Sequence, residues 1–250
     1  MNVSLYQAAA ALDANAKWQD MISDNLASSS VPGFRKQQIS LAAVQAGLLP
    51  SSALQTSKSP QFFSMPKASS STSFQTGEIQ YTSSSSNVAI EGKGFFQVQL
   101  PNGDHAYTRD GEFQVNSQGQ LVTKEGYTVI GDGGPVQLDP HSSGPLSISA
   151  GGDISQGADV KGKLKLTDFE KPQLLTQISG SYFLAKDPAL KPQPATGSLR
   201  QGYLEGSNTS VVAEMANMMT AMRTFEANQH VIQIQDDRIG KAISELGNPT

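Results

Sequence analysis

The sequence of 250 residues contains no cysteine, which excludes disulfide bonds and thiolate chemistry. It has no run of about 18 apolar residues, the length that a membrane-spanning helix needs. Charged residues make up only 16% of the chain, and the net charge is −4 with both signs mixed throughout. No basic stripe indicates nucleic acid, and no polybasic segment indicates a membrane surface. The length is enough for one large domain or two modest ones.

The N-terminus lacks the features of a secretory signal peptide. Met1 to Ala11 has no basic segment and no continuous apolar segment. The sequence therefore predicts a protein that is cytoplasmic, or one that is exported by a route that removes no leader. The absence of cysteine also fits a protein that works outside the cytoplasm without disulfides.

The chain does contain a long heptad pattern at its C-terminus, from Val211 to Leu246. One helical face repeats at intervals of four and three residues, which is typical of a helix that packs lengthwise on other helices. The face consists of Val211, Met215, Met218, Met222, Phe225, Gln229, Ile232, Asp236, Ile239, Ile243 and Leu246. The helix would begin after Ser210 or Thr209, end at Gly247 and be roughly 54 Å long. Because this length exceeds the core of a compact domain of this size, the helix needs partners.

Two features of this face have alternative interpretations. Methionines on one helical face usually fill a core. On a helix that is longer than the core of its own domain, they suit contacts with several different neighbours. The polar positions Gln229 and Asp236 either fix the register of a helical seam or simply face solvent.

A second helix is predicted over residues 3–28, with many alanines that favour a helix and give it a closely packable face. Its apolar stripe consists of Leu5, Ala8, Ala9, Leu12, Ala16, Ile22 and Leu26. Pro32 and Gly33 end this segment in a turn. A shorter helical run is predicted from there to about Ala46.

The middle of the chain divides by composition at about residue 88. Residues 47–87 are rich in Ser, Thr and Pro, which indicates either a disordered linker or an extended segment ordered against a neighbouring subunit. Residues 88–204 show short alternating strands separated by glycines, which favours a β-sandwich or an irregular barrel. Within them, Asn102-Gly103 predicts a hairpin turn with two positive φ angles. The predicted fold class is α+β, with paired long terminal helices, coiled-coil-like, and an inserted all-β domain.

No catalytic, cofactor-binding or metal site is predicted. The histidines, His105, His141 and His230, are far apart in the sequence and lack a second ligand at metal spacing. Asp132, Asp139 and Asp153 are weak calcium candidates because no repeat supports them. No nucleophile motif of the G-x-S-x-G type occurs.

Four stretches form a series of motifs along nearly the whole chain. They are Asp24 to Ser28 with Val31 to Arg35, Val88 to Val98, Tyr107 to Phe113, and Gly202 to Asn208 with Glu214-Met215 and Arg223 to Asn228. In this order they resemble the N-terminal motif and turn, the opening strand, the next hairpin and the C-terminal signature of the bacterial flagellar axial proteins, which form the rod and hook. Gly131 to Pro135 and the Pro-Gly-Phe-Arg turn are more similar to the proximal rod subtype, whereas Tyr203 to Asn208 and Ala227-Asn228 are equally similar to the distal one.

The resemblance implies a non-enzymatic structural subunit of the flagellar basal-body rod. Such a subunit would polymerise through its terminal helices into a tubular drive shaft, with copies of itself and other rod proteins as partners. It would be exported by the flagellar type III apparatus into the periplasmic part of the basal body, with no cofactor, nucleic acid or small-molecule substrate. The implied parts are the N-terminal axial helix and turn 1–46, the extended segment 47–87, the all-β domain 88–204 and the C-terminal axial helix 205–250.

The resemblance and the heptad pattern together predict a subunit interface. Its residues are Leu5, Leu12, Asn25, Leu26, Pro32, Gly33, Phe34, Glu205, Ser207, Asn208, Met215, Met218, Met222, Phe225, Ile232 and Ile239. The alternative function is that of a secreted β-domain that binds or cleaves polysaccharide, with the helical ends as an oligomerisation stalk. The single tryptophan, Trp18, lies outside the β-domain, so the β-domain has no tryptophan on which a sugar ring could stack.

Overall fold

A computed structural model of the protein describes residues 3–48, 62–139 and 144–247. The fold class is α+β, with paired terminal helices and a β-rich region inserted between them in the sequence, as the sequence predicts. The chain forms two compact units. The helical unit comprises Met1–Leu26, Gln37–Ser71 and Ser210–Thr250, and the β unit comprises Ala27–Lys36 and Thr72–Thr209.

The helical unit contains two helices and a two-stranded sheet. Helix α1 spans Val3–Ala27, strands β1 and β2 span Gln37–Leu48 and Phe62–Thr72, and helix α2 spans Val211–Gly247. Both predicted helices are confirmed. Ser210 caps α2, since its hydroxyl accepts a hydrogen bond from the amide of Ala213 at 3.5 Å. Among the described residues, neither helix combines the length and the apolar composition that crossing a membrane requires.

The predicted helical run to about Ala46 is wrong. Gln37–Leu48 forms strand β1, which pairs with β2. The alanines of this segment favour a helix locally, but pairing with a strand distant in sequence overrides that preference.

The segment predicted as an extended stretch, 47–87, contains paired strands where the structure describes it. Strand β2 pairs with β1, and β3, Ile79–Tyr81, pairs with a strand late in the β unit. Neither interpretation of the sequence included a pairing partner inside the chain. Residues 49–61 of this segment lie outside the described residues.

The β unit is built from short strands, as predicted for residues 88–204. After β3, they are β4 Val88–Glu91, β5 Phe95–Gln99, β6 His105–Thr108, β7 Phe113–Val115, β8 Leu121–Thr123, β9 Thr128–Gly131, β10 Gly134–Pro135, β11 Leu146–Ile148, β12 Asp153–Gln156, β13 Asp159–Lys163, β14 Leu166–Asp168, β15 Thr176–Ser179, β16 Tyr182–Leu184, β17 Gln193–Pro194, β18 Ser198–Gln201 and β19 Tyr203–Glu205. A single 3₁₀ turn, Pro172–Leu174, precedes β15 in the described chain.

Antiparallel pairing joins these strands into one large sheet and several small ones. The large sheet has the order β15-β16-β6-β5-β9-β8-β7, and β14 pairs with the central β5. Strands β11, β12 and β13 form a second sheet, while β18 pairs with β4 and β19 with β3. The main core includes Phe96, Val98, Phe113 and Leu164, and all four are buried.

The predicted hairpin is present between β5 and β6, but its turn differs from the prediction. The amide of Gly103 donates to the carbonyl of Leu100, and the amide of Leu100 donates to that of Asp104, each at 2.9 Å. Only Gly103 has a positive φ, of 90°, while Asn102 does not. The loop therefore has three residues with a left-handed glycine at its end.

Candidate functional site

The segments that adjoin the two helices in sequence meet each other in the β unit. The amide of Gly33 donates to the carbonyl of Glu205 at 2.7 Å. The side chain of Asn208 accepts from the amide of Lys36 at 2.7 Å, and the amide of Asn208 donates to the carbonyl of Phe34 at 3.4 Å. The turn after α1 is thereby fixed to the residues just before α2.

Three buried charges lie at this junction, and we call Arg35, Arg109 and Glu205 the charge clamp. One carboxylate oxygen of Glu205 lies 2.6 Å from Nη2 of Arg35, and the other lies 3.1 Å from Nη1 of Arg109. The exposed fractions of the three residues are 1%, 6% and 1%. In such surroundings an ion pair is held strongly only when hydrogen bonds satisfy its remaining groups.

Backbone groups supply most of those hydrogen bonds. Arg35 donates to the carbonyl of Gln75 at 2.9 Å, and Arg109 donates to that of Gly92 at 2.7 Å. The amide of Gly77 donates to Glu205 at 2.9 Å. The charge clamp therefore joins five separate stretches of the chain at one point.

Two guanidinium groups share one carboxylate within the charge clamp. Burial lowers the pKa of Arg109, Glu205 opposes that change, and the neighbouring Arg35 adds to it. The Nε atoms of Arg35 and Arg109 have no hydrogen-bond partner within the described part of the chain. Removing the carboxylate would leave two like charges buried together, so Glu205 is the member that holds the junction.

Position 33, at the same junction, requires glycine because of its backbone conformation and its close contact with another backbone. Its φ is +67°, and a Cβ atom on it would lie 2.4 Å from the carbonyl carbon of Arg109 and from the amide nitrogen of Asp110. Only glycine avoids both the left-handed strain and this contact. The Pro-Gly turn is therefore needed for close packing of two backbones.

Several predicted interface residues are engaged inside their own unit. In the β unit, Phe34 is buried, and the amide group of Asn208 donates to the carbonyls of Ser73 and Gln75 at 3.0 and 2.9 Å. The hydroxyl of Ser207 accepts from the amide of Thr209 at 3.1 Å. Pro32 is half-buried there.

In the helical unit, the predicted interface residue Asn25 is also engaged. It exchanges two hydrogen bonds with the backbone of Gln37, at 2.8 and 2.9 Å. Leu5, Leu12 and Leu26 are half-buried in the same unit. These side chains are wholly or partly covered within the chain. Their predicted role between subunits stays a prediction.

Helix α2 turns a different face towards its own unit than the heptad pattern indicates. The buried and half-buried positions are Glu214, Asn217, Met218, Ala221, Phe225, Asn228, Ile232 and Gln235. The side chain of Asn15 in α1 donates to the carbonyl of Ala221 at 3.0 Å and so joins the two helices. Met218, Phe225 and Ile232 belong both to this face and to the predicted one.

Four other apolar positions in the first half of α2 form an exposed row. Val212, Met215, Met219 and Met222 follow one another at intervals of three and four residues, and we call them the methionine row. Their exposed fractions are 79%, 54%, 56% and 55%. Large apolar side chains that are exposed together mark an interaction surface.

The last turns of α2 are exposed on all sides. Every side chain from Asp236 to Glu245 is exposed, including Ile239 and Ile243. We call Asp236–Glu245 the overhang of α2. Its predicted interface residue, Ile239, is thus available for a contact.

Sequence reasoning did not single out Arg35 and Arg109. The signal that points to them is that charged residues are sparse in this chain, and both arginines sit inside the turn and hairpin motifs quoted above. As for metals, no group of three or more His, Cys, Asp or Glu side chains in the described ranges is placed to hold an ion. His141 lies outside those ranges.

Comparison with known proteins gives matches at both ends of the β unit and beyond. The model of the flagellar hook protein FlgE/F/G D1 domain matches residues 89–156, and that of the flagellar basal body rod FlgEFG protein C-terminal matches residues 200–245. The chain is 33% identical to the flagellar basal-body rod protein FlgF of Escherichia coli (strain K12), with 97% of each chain covered. It is 35% identical to the flagellar basal-body rod protein FlgG of Buchnera aphidicola subsp. Acyrthosiphon pisum, with 97% of this chain and 99% of that one covered.

Relatives named FlgF and relatives named FlgG match this chain at similar identity. The preference for the proximal over the distal rod subtype therefore stays a prediction. The two matched ranges contain the hairpin with Arg109 and the junction residues Glu205 and Asn208. The flagellar relatives match nearly the whole chain, helices included. The protein therefore belongs to the family of flagellar basal-body rod proteins.

Proposed function

We propose that this protein is a structural subunit of the flagellar basal-body rod, the tubular shaft that carries torque from the motor to the hook. It polymerises through its terminal helices. Membership of a structural family, which is not an enzyme family, supports this function. The observation that carries it is the methionine row, an exposed apolar surface on helix α2. The last turns of this helix extend beyond the part that is buried in its own unit.

Burial of the methionine row against neighbouring helices would drive assembly. Fully burying one methionine side chain contributes roughly 1.5–3 kcal/mol. Methionine is flexible and adapts to irregular surfaces, so one row suits neighbours that are not identical. The partners are copies of this chain and other rod proteins.

The place and route of assembly belong to the same proposal. Subunits assemble in the periplasmic part of the basal body after export by the flagellar type III apparatus. The names of the relatives support the basal body as the location.

The test replaces two members of the methionine row with aspartate, Met215→Asp and Met222→Asp. An unpaired carboxylate buried between helices is strongly disfavoured. In cells that lack the native copy, we expect this double variant to be non-motile and to yield no complete rods. The matched control is Thr220→Asp with Ala227→Asp, which adds the same charge at the same spacing on another exposed face of α2. Normal swimming of the methionine-row variant, or equal loss in both variants, would contradict the proposal.

A further inference from the structure

Helix α2 carries three titratable side chains on the side of the methionine row. All three are exposed, and they are Arg223, Glu226 and His230. Arg223 follows Met219 by four residues and Glu226 follows Met222 by four, so these groups extend the methionine row along the same side of the helix. Between residues 215 and 235 the sequence has no other charged or titratable side chain. Arg223 and Glu226 form no ion pair within the described part of the chain.

The exposed face of α1 carries charges of opposite sign at the same spacing. From its C-terminal end backwards, an acid, a base and an acid follow at intervals of three and four residues, and they are Asp20, Lys17 and Asp13. The three groups on α2 follow at the same intervals in the forward direction. If the two helices lie side by side in opposite directions, each acidic side chain faces a basic one over about 10.5 Å of either helix. The resulting pairs are Asp20 with Arg223, Lys17 with Glu226 and Asp13 with His230.

These pairs do not form within one copy of the protein. Lys17 is paired with Asp13 of its own helix at 2.7 Å, and Asp20 forms no ion pair within the described residues. Inside the chain the two helices meet on other faces, where Asn15 donates to the carbonyl of Ala221. The matching charges of α1 and α2 are therefore available to a second copy.

The direction that the charge match requires is also the direction in which the two helices of one copy run. The turn after α1 is bonded to the residues just before α2, through Gly33 with Glu205 and Phe34 with Asn208, so α1 ends near the start of α2. Copies that point the same way along a rod therefore present α2 of one copy to α1 of the next in opposite directions. Because the contact joins two different surfaces, its repetition generates a ring or an open helical array.

A groove beside the charges of α1 can accept part of the methionine row. It lies between α1 and the β1–β2 sheet and has a volume of about 230 Å³, and its charged lining residues are Lys17, Asp20 and Asp24. Its lining also includes Met21, which is buried, and Ile39, which is half-buried. Met219 precedes Arg223 by about one turn, so the pairing of Arg223 brings Met219 level with this groove. The guanidinium has five N–H donors and can bond both carboxylates there.

We propose that this side of α2 in one copy packs against the exposed face of α1 in a second copy, with the three pairs formed between them. This inference rests on the proposed assembly and names the neighbour that covers the methionine row. Lys17 has three N–H donors, so it can keep its bond to Asp13 and bind Glu226 as well. His230 can donate to a carboxylate whether it is neutral or protonated. Exposed ion pairs contribute little affinity, so the alternating charges set the register while burial of the methionines holds the copies together.

Exchanging the charges within each helix tests the contact in the full chain without changing its net charge. The α2 swap is Arg223→Glu with Glu226→Arg, and the α1 swap is Lys17→Asp with Asp20→Lys. Each swap places like charges against each other, so each should reduce the number of swimming cells roughly tenfold or more in cells that lack the native copy. The combination of both swaps restores opposite charges and should recover motility. Helical circular dichroism of each purified variant checks that the exposed substitutions leave the fold intact.

The outcomes distinguish this contact from assembly as such. The matched control, Glu170→Lys with Lys171→Glu, exchanges two exposed charges in the β unit and should leave swimming unchanged. Loss in both swaps without recovery in their combination would overturn the proposal, because the opposing groups would then belong to a different protein. Normal swimming in either swap would overturn it as well. In both cases the proposed function would still stand if the methionine-row variant remained non-motile.

A cross-link checks the register without altering a charged residue. The chain has no cysteine, and the exposed residues Ala9 and Gln233 lie at the same level on adjacent copies in the proposed register. Copies carrying Ala9→Cys and copies carrying Gln233→Cys are expressed together, and isolated basal bodies are treated with a short bis-maleimide. A linked dimer should form only when both variants are present. Ala16→Cys in place of Ala9→Cys moves the thiol about 10.5 Å along α1 and should abolish the dimer. Assembled basal bodies without the first dimer, or equal linking by both pairs, would overturn the proposal.

Discussion

The carboxylate of Glu205 lies 2.6 Å from the guanidinium of Arg35, and both side chains are buried in the β unit. Substituting Glu205→Ala would leave Arg35 and Arg109 as two unpaired buried cations. We expect the free energy of unfolding of the β unit to fall by about 3–5 kcal/mol. Urea unfolding of the full chain, followed by β-sheet circular dichroism, measures the change.

The control for this substitution is Glu91→Ala, which removes an exposed carboxylate from β4. Its effect should stay within about 0.5 kcal/mol. If Glu205→Ala and Glu91→Ala had the same small effect, the charge clamp would not stabilise the junction.

Gly33 provides a second prediction at the same junction. Gly33→Ala adds a Cβ atom 2.4 Å from backbone atoms of Arg109 and Asp110, whereas Gly126→Ala has nothing within 4 Å of its Cβ atom. Both glycines have positive φ, so the left-handed strain of about 1–2 kcal/mol applies to both. The unfolding free energy should fall clearly further for Gly33→Ala, and equal losses at the two positions would show that the backbones do not pack this closely.

Asp110 gives the β unit a specific pH dependence. Burial raises the pKa of its carboxyl from 3.8 to about 7. The folded protein therefore keeps this proton at a pH where the unfolded chain has lost it. The linked stabilisation is fully present below about pH 4 and is lost as the pH rises through 7, by up to about 4 kcal/mol.

The variant Asp110→Asn isolates this effect because its amide oxygen can still accept the hydrogen bond from the amide of Glu112. Urea unfolding between pH 4.5 and 8 should show a flatter profile for Asp110→Asn than for the native chain. The control Asp132→Asn changes an exposed carboxyl and should keep the native profile. Parallel profiles for the native chain and Asp110→Asn would show that Asp110 does not titrate in this range.

Local sequence signals predicted the elements whose determinants are local. Ser210 and Gly247 mark the ends of α2, and the Asn102-Gly103 pair marks the hairpin between β5 and β6. Strand β1 was missed because its alanines favour a helix and its partner strand lies in a segment interpreted either as a linker or as an extended stretch ordered by a neighbouring subunit. Its strand conformation depends on pairing, which composition does not encode.

The candidate site was predicted in part. The heptad pattern correctly identified Met215 and Met222 as apolar positions on a long helix, but it could not say which apolar row faces α1. That choice depends on where Asn15 and Ala221 meet. The charge clamp was not foreseen because Arg35, Arg109 and Glu205 are far apart in sequence, and only the tertiary fold brings them together.

Labelling of a single cysteine at position 222 tests most directly whether the methionine row is buried in the rod. The chain has no cysteine, so Met222→Cys introduces the only thiol. In the monomer this position is 55% exposed and should react readily with a maleimide. In isolated basal bodies the thiol should react at least roughly tenfold more slowly, because neighbouring helices would cover it. A cysteine replacing Val160, which is 74% exposed in the β unit, calibrates reagent access in both samples. Equal labelling of position 222 in monomer and rod would contradict assembly through this row.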